Sequence, residues 1–189
     1  LYLRGLHLEQ YRHATFNATD YYEEALRRAP KDVRCNNAMG LWYMRKGQLE
    51  KSIKYFNTAI ETLTSHNPNP YDGEPYFNKG LALNFLGKKE EAYASFFKAC
   101  WNAQWQDAGY FNLAQIDSSK GDLEKALDLV DRALIKNWHN HKARHLKVVI
   151  LRKQGKLEAA NKLIETPVLQ PIPGKEWAVK PEFQPQKQN

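Results

Sequence analysis

The chain has 189 residues, 42% of them hydrophobic, with 28 lysines and arginines against 21 acidic residues and a net charge of +7. It is too apolar for a disordered tail and long enough for one or two ordinary domains or one extended repeat array. No run nears the roughly 18 apolar residues of a membrane span, and "LYLRGLHLEQYRH" lacks the basic flank, apolar centre and small-residue cleavage site of a signal peptide. A soluble, cytoplasmic protein without membrane partners is expected.

Taken in chain order, the elements fall into units of two amphipathic helices. Residues 1–31 end in "ATDYYEEALRRAP", where Ala18, Tyr22 and Ala25 share a helix face. Residues 32–66 open on Asp32, an N-cap, and contain "GQLEKSIKYFNTA" with Gly47, Ser52, Phe56 and Ala59 in register. The stretch at about 65–72, within "TSHNPNPYDGEP", is rich in helix breakers and reads as an insertion. Residues 73–106, 107–140 and 141–166 then repeat one phrase: "GKKEEAYASFFKA", "GDLEKALDLVDRA" and "GKLEAANKLIETP".

Gly87, Gly121 and Gly155 are 34 residues apart, which aligns Ala92, Ala126 and Ala160, and likewise Phe96, Val130 and Ile164. Glycine between two helices suits a left-handed C-terminal residue, and Asp122 just after it suits a cap. The close of the chain, 167–189, has five prolines and no period, and an extended tail is expected there. Because the chain opens at Leu1 with no methionine before Met39, it is expected to be part of a longer polypeptide.

Chemistry is sparse. There is no glycine-rich phosphate loop, no HExxH and no recognisable nucleophile–histidine motif, so a non-enzymatic protein without cofactor is expected. Cys35 and Cys100 sit inside helical patterns, where a thiol acts as a small apolar group and a reducing compartment is implied. His139, His141 and His145 are spaced to share one ion. No carboxylate or thiol accompanies them, while Lys142, Arg144 and Lys147 surround them, so no metal site is assigned.

The 34-residue period, the two helices per unit and the small residues Gly40, Gly80 and Ala114 opposite Ser52, Ala92 and Ala126 resemble the tetratricopeptide repeat. The resemblance covers about residues 1–166 and departs at the first unit, with one extra residue between Gly5 and Ala18, and at the last, where Val148 replaces the small residue. It implies an all-α, right-handed superhelical solenoid of about five helix-turn-helix units plus the tail. It also implies a concave groove lined by Arg34, Asn37, Leu41 and Met44, by Phe77, Leu81 and Asn84, by Phe111, Gln115 and Ser118, and by His145, Val149 and Arg152. Leu41, Phe77, Leu81 and Phe111 stand where clamps for chaperone C-termini carry polar or basic residues, so that ligand is not expected.

Tyr71, Trp101, Trp105 and Trp138 mark three successive junctions between units, mixed with Asn, Gln, Asp and His. Such rings serve either inter-helix packing or an edge for recognition. The phrases "LHLEQYRH", "NPYDGEPY", "WNAQWQDAGYF" and "NHKARHLK" further resemble the C-terminal repeat region of large bacterial proteins of unknown function whose N-terminal part is a mutarotase-like, carbohydrate-associated β domain.

The expected function is a protein–protein or interdomain scaffold that binds another protein, another domain of its parent or a second copy through groove and edge. A carbohydrate-binding module is the alternative. Nucleic acid ranks last, because the basic residues form no single stripe in the sequence.

Overall fold

The computed structural model describes residues 1–11 and 15–165. The proline-rich segment expected to form a tail, with Trp177 and Phe183, lies outside the described residues, as does the end of the fifth unit.

Ten α-helices follow one another: α1 (Tyr2–Gln10), α2 (Ala18–Arg28), α3 (Val33–Arg45), α4 (Leu49–Leu63), α5 (Glu74–Phe85), α6 (Lys89–Ala99), α7 (Gln106–Lys120), α8 (Leu123–Lys136), α9 (His141–Lys153) and α10 (Leu157–Glu165). A single 3-10 turn, Ala103–Trp105, precedes α7, and no strand occurs among the described residues. Each helix packs on the next, and α3 also meets α5 while α7 meets α9. The odd-numbered helices therefore form one inner layer and the even-numbered helices the outer one, an all-α solenoid.

The tight turns inside the last four hairpins share one chemistry. Gly47, Gly87, Gly121 and Gly155 have φ between 73° and 88°, a left-handed conformation that side chains with a Cβ resist. Just after each glycine, the backbone N–H of Gln48, Lys88, Asp122 or Lys156 reaches back to the carbonyl of Tyr43, Leu83, Asp117 or Leu151 at 2.9–3.0 Å. The glycine N–H bonds a nearer carbonyl, as Gly47 does to Met44 at 3.0 Å. This double closure satisfies carbonyls that a helix end leaves open. Asp32, Asp122 and Asn140 cap α3, α8 and α9 by accepting from the backbone N–H of Cys35, Lys125 and Ala143.

Inside each hairpin, a small residue on the first helix makes room for a large one on the second. A Cβ built on Gly80 would lie 2.7 Å from two ring carbons of Phe96, and one on Gly40 or Gly5 would meet Phe56 or Tyr22 in the same way. All three rings are fully buried. The next unit has Ala114 and Val130 at these two positions, both fully buried, so there the partner shrinks as the small residue grows; the last unit has Val148 and Ile164, and Ile164 is 55% exposed. Glycine here serves the close approach of a ring to the backbone, rather than of backbone to backbone. The core runs without a break from Leu83 through Phe96, Leu113 and Val130 to Ile150, with a second cluster around Tyr22, Met39 and Tyr43.

Candidate interaction surface

Of the groove positions, Arg34, Gln115, His145, Val149 and Arg152 are exposed, while Leu41, Met44, Phe77, Leu81, Asn84, Phe111 and Ser118 are half-buried. Asn37 is buried: its side-chain oxygen accepts from Asn78 Nδ2 at 3.0 Å and ties α3 to α5. Arg34 lies over the Tyr2 ring, 5.1 Å from its centroid. Phe77 stacks on Trp105 at 4.9 Å and tilts against Phe96 at 5.6 Å, and Phe111 packs on the main core. Glu74, beside Asn37 and Asn78 at the start of α5, has its carboxyl pKa raised, chiefly by burial.

The junction rings differ among themselves. Tyr71 is 79% exposed. Trp101 is exposed at its rim, but Lys98 Nζ sits 3.4 Å from its ring centroid, and the Arg144 guanidinium covers Trp138 at 4.8 Å. Trp105 is turned inward onto Phe77, against Gly73, where any Cβ would press on the Ala99 carbonyl and the indole. Neighbouring junctions are joined by amides: Asn102 Nδ2 donates to the Tyr71 carbonyl at 2.8 Å, and Asn137 Nδ2 donates to Asp107 at 2.9 Å. No feature of the sequence reading singled out Asn102 or Asn137, although asparagine at successive junctions was visible.

Trp105 therefore packs within its own unit, against α5. Its indole N–H is buried with no acceptor among the described residues, so a buried donor's desolvation offsets part of what the ring contributes. Trp105→Ala is expected to lower stability by about 1–2 kcal/mol, below the full cost of a buried aromatic because the side chain is only partly covered. Trp105→Phe should be nearly neutral, and Tyr71→Ala should change the melting temperature little. Parallel denaturant titrations of the three variants check this ordering.

Both cysteines are buried. Burial pushes the thiols of Cys35 and Cys100 up to about 12, with Asp32 adding to the effect at Cys35. Neither forms the thiolate that nucleophilic or redox chemistry needs near neutral pH. Among the described residues, no three His, Cys, Asp or Glu side chains gather as a metal site would require, and no helix is long and apolar enough to cross a membrane.

Comparison with known proteins agrees with this geometry. Residues 33–62 and 73–100 match the tetratricopeptide repeat. Solved structures share the architecture: PilF of Pseudomonas aeruginosa (17% identical, TM-score 0.74, 85% of this chain and 70% of that one) and MamA of Desulfovibrio magneticus (15%, 0.69, 85% and 86%).

The fold is a tetratricopeptide-repeat solenoid.

YrrB, described as a TPR protein with an unusual peptide-binding site, superimposes with a TM-score of 0.64 at 18% identity, over 77% of this chain and 72% of its own. An uncharacterized protein of Methanocaldococcus jannaschii is 47% identical over 53 residues, which is 28% of this chain and 55% of that one, so the chain matches about half of that relative's length. In the repeat's register, Gly40 with Phe56 and Gly80 with Phe96 fall inside the two matched segments. Proteins built from this repeat typically serve as protein–protein interaction scaffolds.

Proposed function

We propose that this chain is a non-catalytic interaction module of a larger bacterial, cytoplasmic protein, and that it holds a protein segment along the inner layer formed by α3, α5, α7 and α9. One observation carries the reading. After the hairpins have satisfied their own cores, side chains at matching positions of the inner helices still reach the surface: Met44, Asn84 and Arg152 at one, Leu81 and Gln115 at a second, Phe111 and His145 at a third, with Arg34 exposed at the start of α3. Repeated positions aligned across a stack give an extended partner one side chain every few residues to engage. The peptide-binding site named for YrrB supports the same use of this fold.

A second reading, carbohydrate binding at the junction edge, has Tyr71 and the rim of Trp101 in its favour. It is the weaker, because a cation already occupies one of the two faces of Trp101 and of Trp138, which leaves each ring a single face for a sugar. Peptides selected from a displayed library against the full chain separate the two. They are expected to lose affinity with Arg34→Ala and Gln115→Ala, and to keep it with Tyr71→Ala and Trp101→Ala. The opposite pattern, or an oligosaccharide response in tryptophan fluorescence that Tyr71→Ala removes, would shift the function to the edge.

A further inference from the structure

Helix α9 differs from the others in its charge. It carries five lysines and arginines, two histidines and no acidic residue. Two of the cations have structural work: Lys147 pairs with Asp131 at 2.5 Å, and buried Arg144 donates to the Leu163 carbonyl at 3.1 Å while covering Trp138. Lys142, His145, Arg152 and Lys153 do not face that way. With Val149 they follow a spacing of three and four residues along the exposed side of the helix, opposite the buried Ala143, Ile150 and Leu151. No carboxylate among the described residues pairs with Lys142, Arg152 or Lys153. On other helices several exposed cations are paired, as in Arg27 and Arg28 with Glu24, Lys120 with Glu90 and Arg132 with Asp128.

Folding gives no reason for this arrangement. The first turn of a helix favours acids, and α2, α4, α5, α6, α7, α8 and α10 all have one there. Helix α9 opens instead on His141 and Lys142, where the backbone dipoles oppose a positive charge. The adjoining inner helix supplies no compensation, because its surface positions are Phe111, Gln115 and Ser118, while Asp107 is engaged by Asn137 and Asp117 is buried with Tyr93.

We infer that the inner face of α9 binds an acidic protein segment, whose carboxylates meet Lys142, His145, Arg152 and Lys153 and whose neighbouring apolar residues lie toward Phe111 on α7. The inference rests on the reading of the inner layer as the binding surface. A protein segment is favoured over a nucleic acid because the unpaired cations span one helix, about 20 Å. The next inner positions, Phe111, Gln115 and Ser118 on α7, carry no charge, so a phosphate backbone continuing from α9 would find no cation there, whereas an acidic run followed by apolar side chains matches the sequence of surfaces.

The test is fluorescence anisotropy on the full chain with a labelled peptide in which a run of glutamates precedes leucine and phenylalanine. The same peptide with glutamines, and a labelled oligouridine RNA, serve as comparisons. Lys142→Glu with Arg152→Glu is expected to raise the Kd for the acidic peptide at least ~10-fold. Lys31→Glu with Lys54→Glu, reversing exposed charges on the outer surface, should leave it within about twofold. All four side chains are exposed, so circular dichroism should report an unchanged fold. Equal losses from the two reversal pairs, or RNA bound as tightly as the acidic peptide, would overturn the inference. Equal affinity for the glutamine peptide, unaffected by the α9 reversal and reduced by Gln115→Ala, would also overturn it while leaving the inner layer as the binding surface.

Discussion

Gly80→Ala is expected to destabilise the protein by about 2 kcal/mol, although helix propensity alone favours alanine by about 1 kcal/mol in a helix interior. Packing reverses the sign. The added methyl would sit 2.7 Å from Cδ1 and Cε1 of Phe96, a ring with no exposure and with Phe77 against it, so it has little space to retreat. A loss of this size lowers the melting temperature of a chain this long by roughly 4–8 °C. The fourth unit suggests the repair, because there Ala114 and Val130 occupy the same two positions and both are fully buried. Phe96→Val alone should cost about 2–3 kcal/mol through the cavity it leaves. Combined with Gly80→Ala it should cost less than the sum of the two by about 1–2 kcal/mol. Strict additivity in the double-mutant cycle would mean that glycine and ring do not interlock.

Asp117→Ala is expected to cost about 2–3 kcal/mol, because it dismantles a buried polar contact joining three helices. The Asp117 carboxylate accepts from the Tyr93 hydroxyl at 3.0 Å and has Lys125 Nζ at 3.5 Å. Lys125 is more than half exposed, so solvent screening holds the loss below that of a wholly buried pair. Tyr93→Phe should cost about 1–3 kcal/mol, since it leaves a buried acceptor without its donor. The register again supplies the control. The positions equivalent to Asp117 hold Leu83 and Leu151, both buried. Asp117→Leu with Tyr93→Phe replaces the polar contact by an apolar one and should be more stable than Tyr93→Phe alone, as measured by chemical denaturation. A double variant less stable than both single ones would show that the leucine register does not carry over to α7.

Much of the architecture is local chemistry. The 34-residue period, the left-handed glycines and the caps at Asp32 and Asp122 depend on neighbours within a few positions, so they can be read from residue types and spacing. The alignment of Gly80 and Ala92, 12 residues apart, with their counterparts in other units was also legible, because the repeat writes it several times. The aligned small residues suggested close helices, but not that a ring would fill the space that glycine leaves.

The binding surface was less accessible to such reading, and the reason is physical. Whether a side chain is spent on the fold or left for a ligand depends on contacts between helices, which one sequence does not state. Asn37 had the register of a groove residue, yet Asn78, 41 positions away, takes it into the interior. Trp101 and Trp105 stand four residues apart in one phrase, yet one reaches solvent and the other stacks on Phe77. The residue types of α9 were plain to see, but their lack of partners depends on which acids neighbouring helices bring within ion-pair range. The sequence by itself determined the repeat, the turns and the all-helical class, because these follow from backbone sterics and periodic hydrophobicity. Only the tertiary structure decided which polar and aromatic side chains remain unspent, because burial and charge pairing are properties of helices from different units brought side by side.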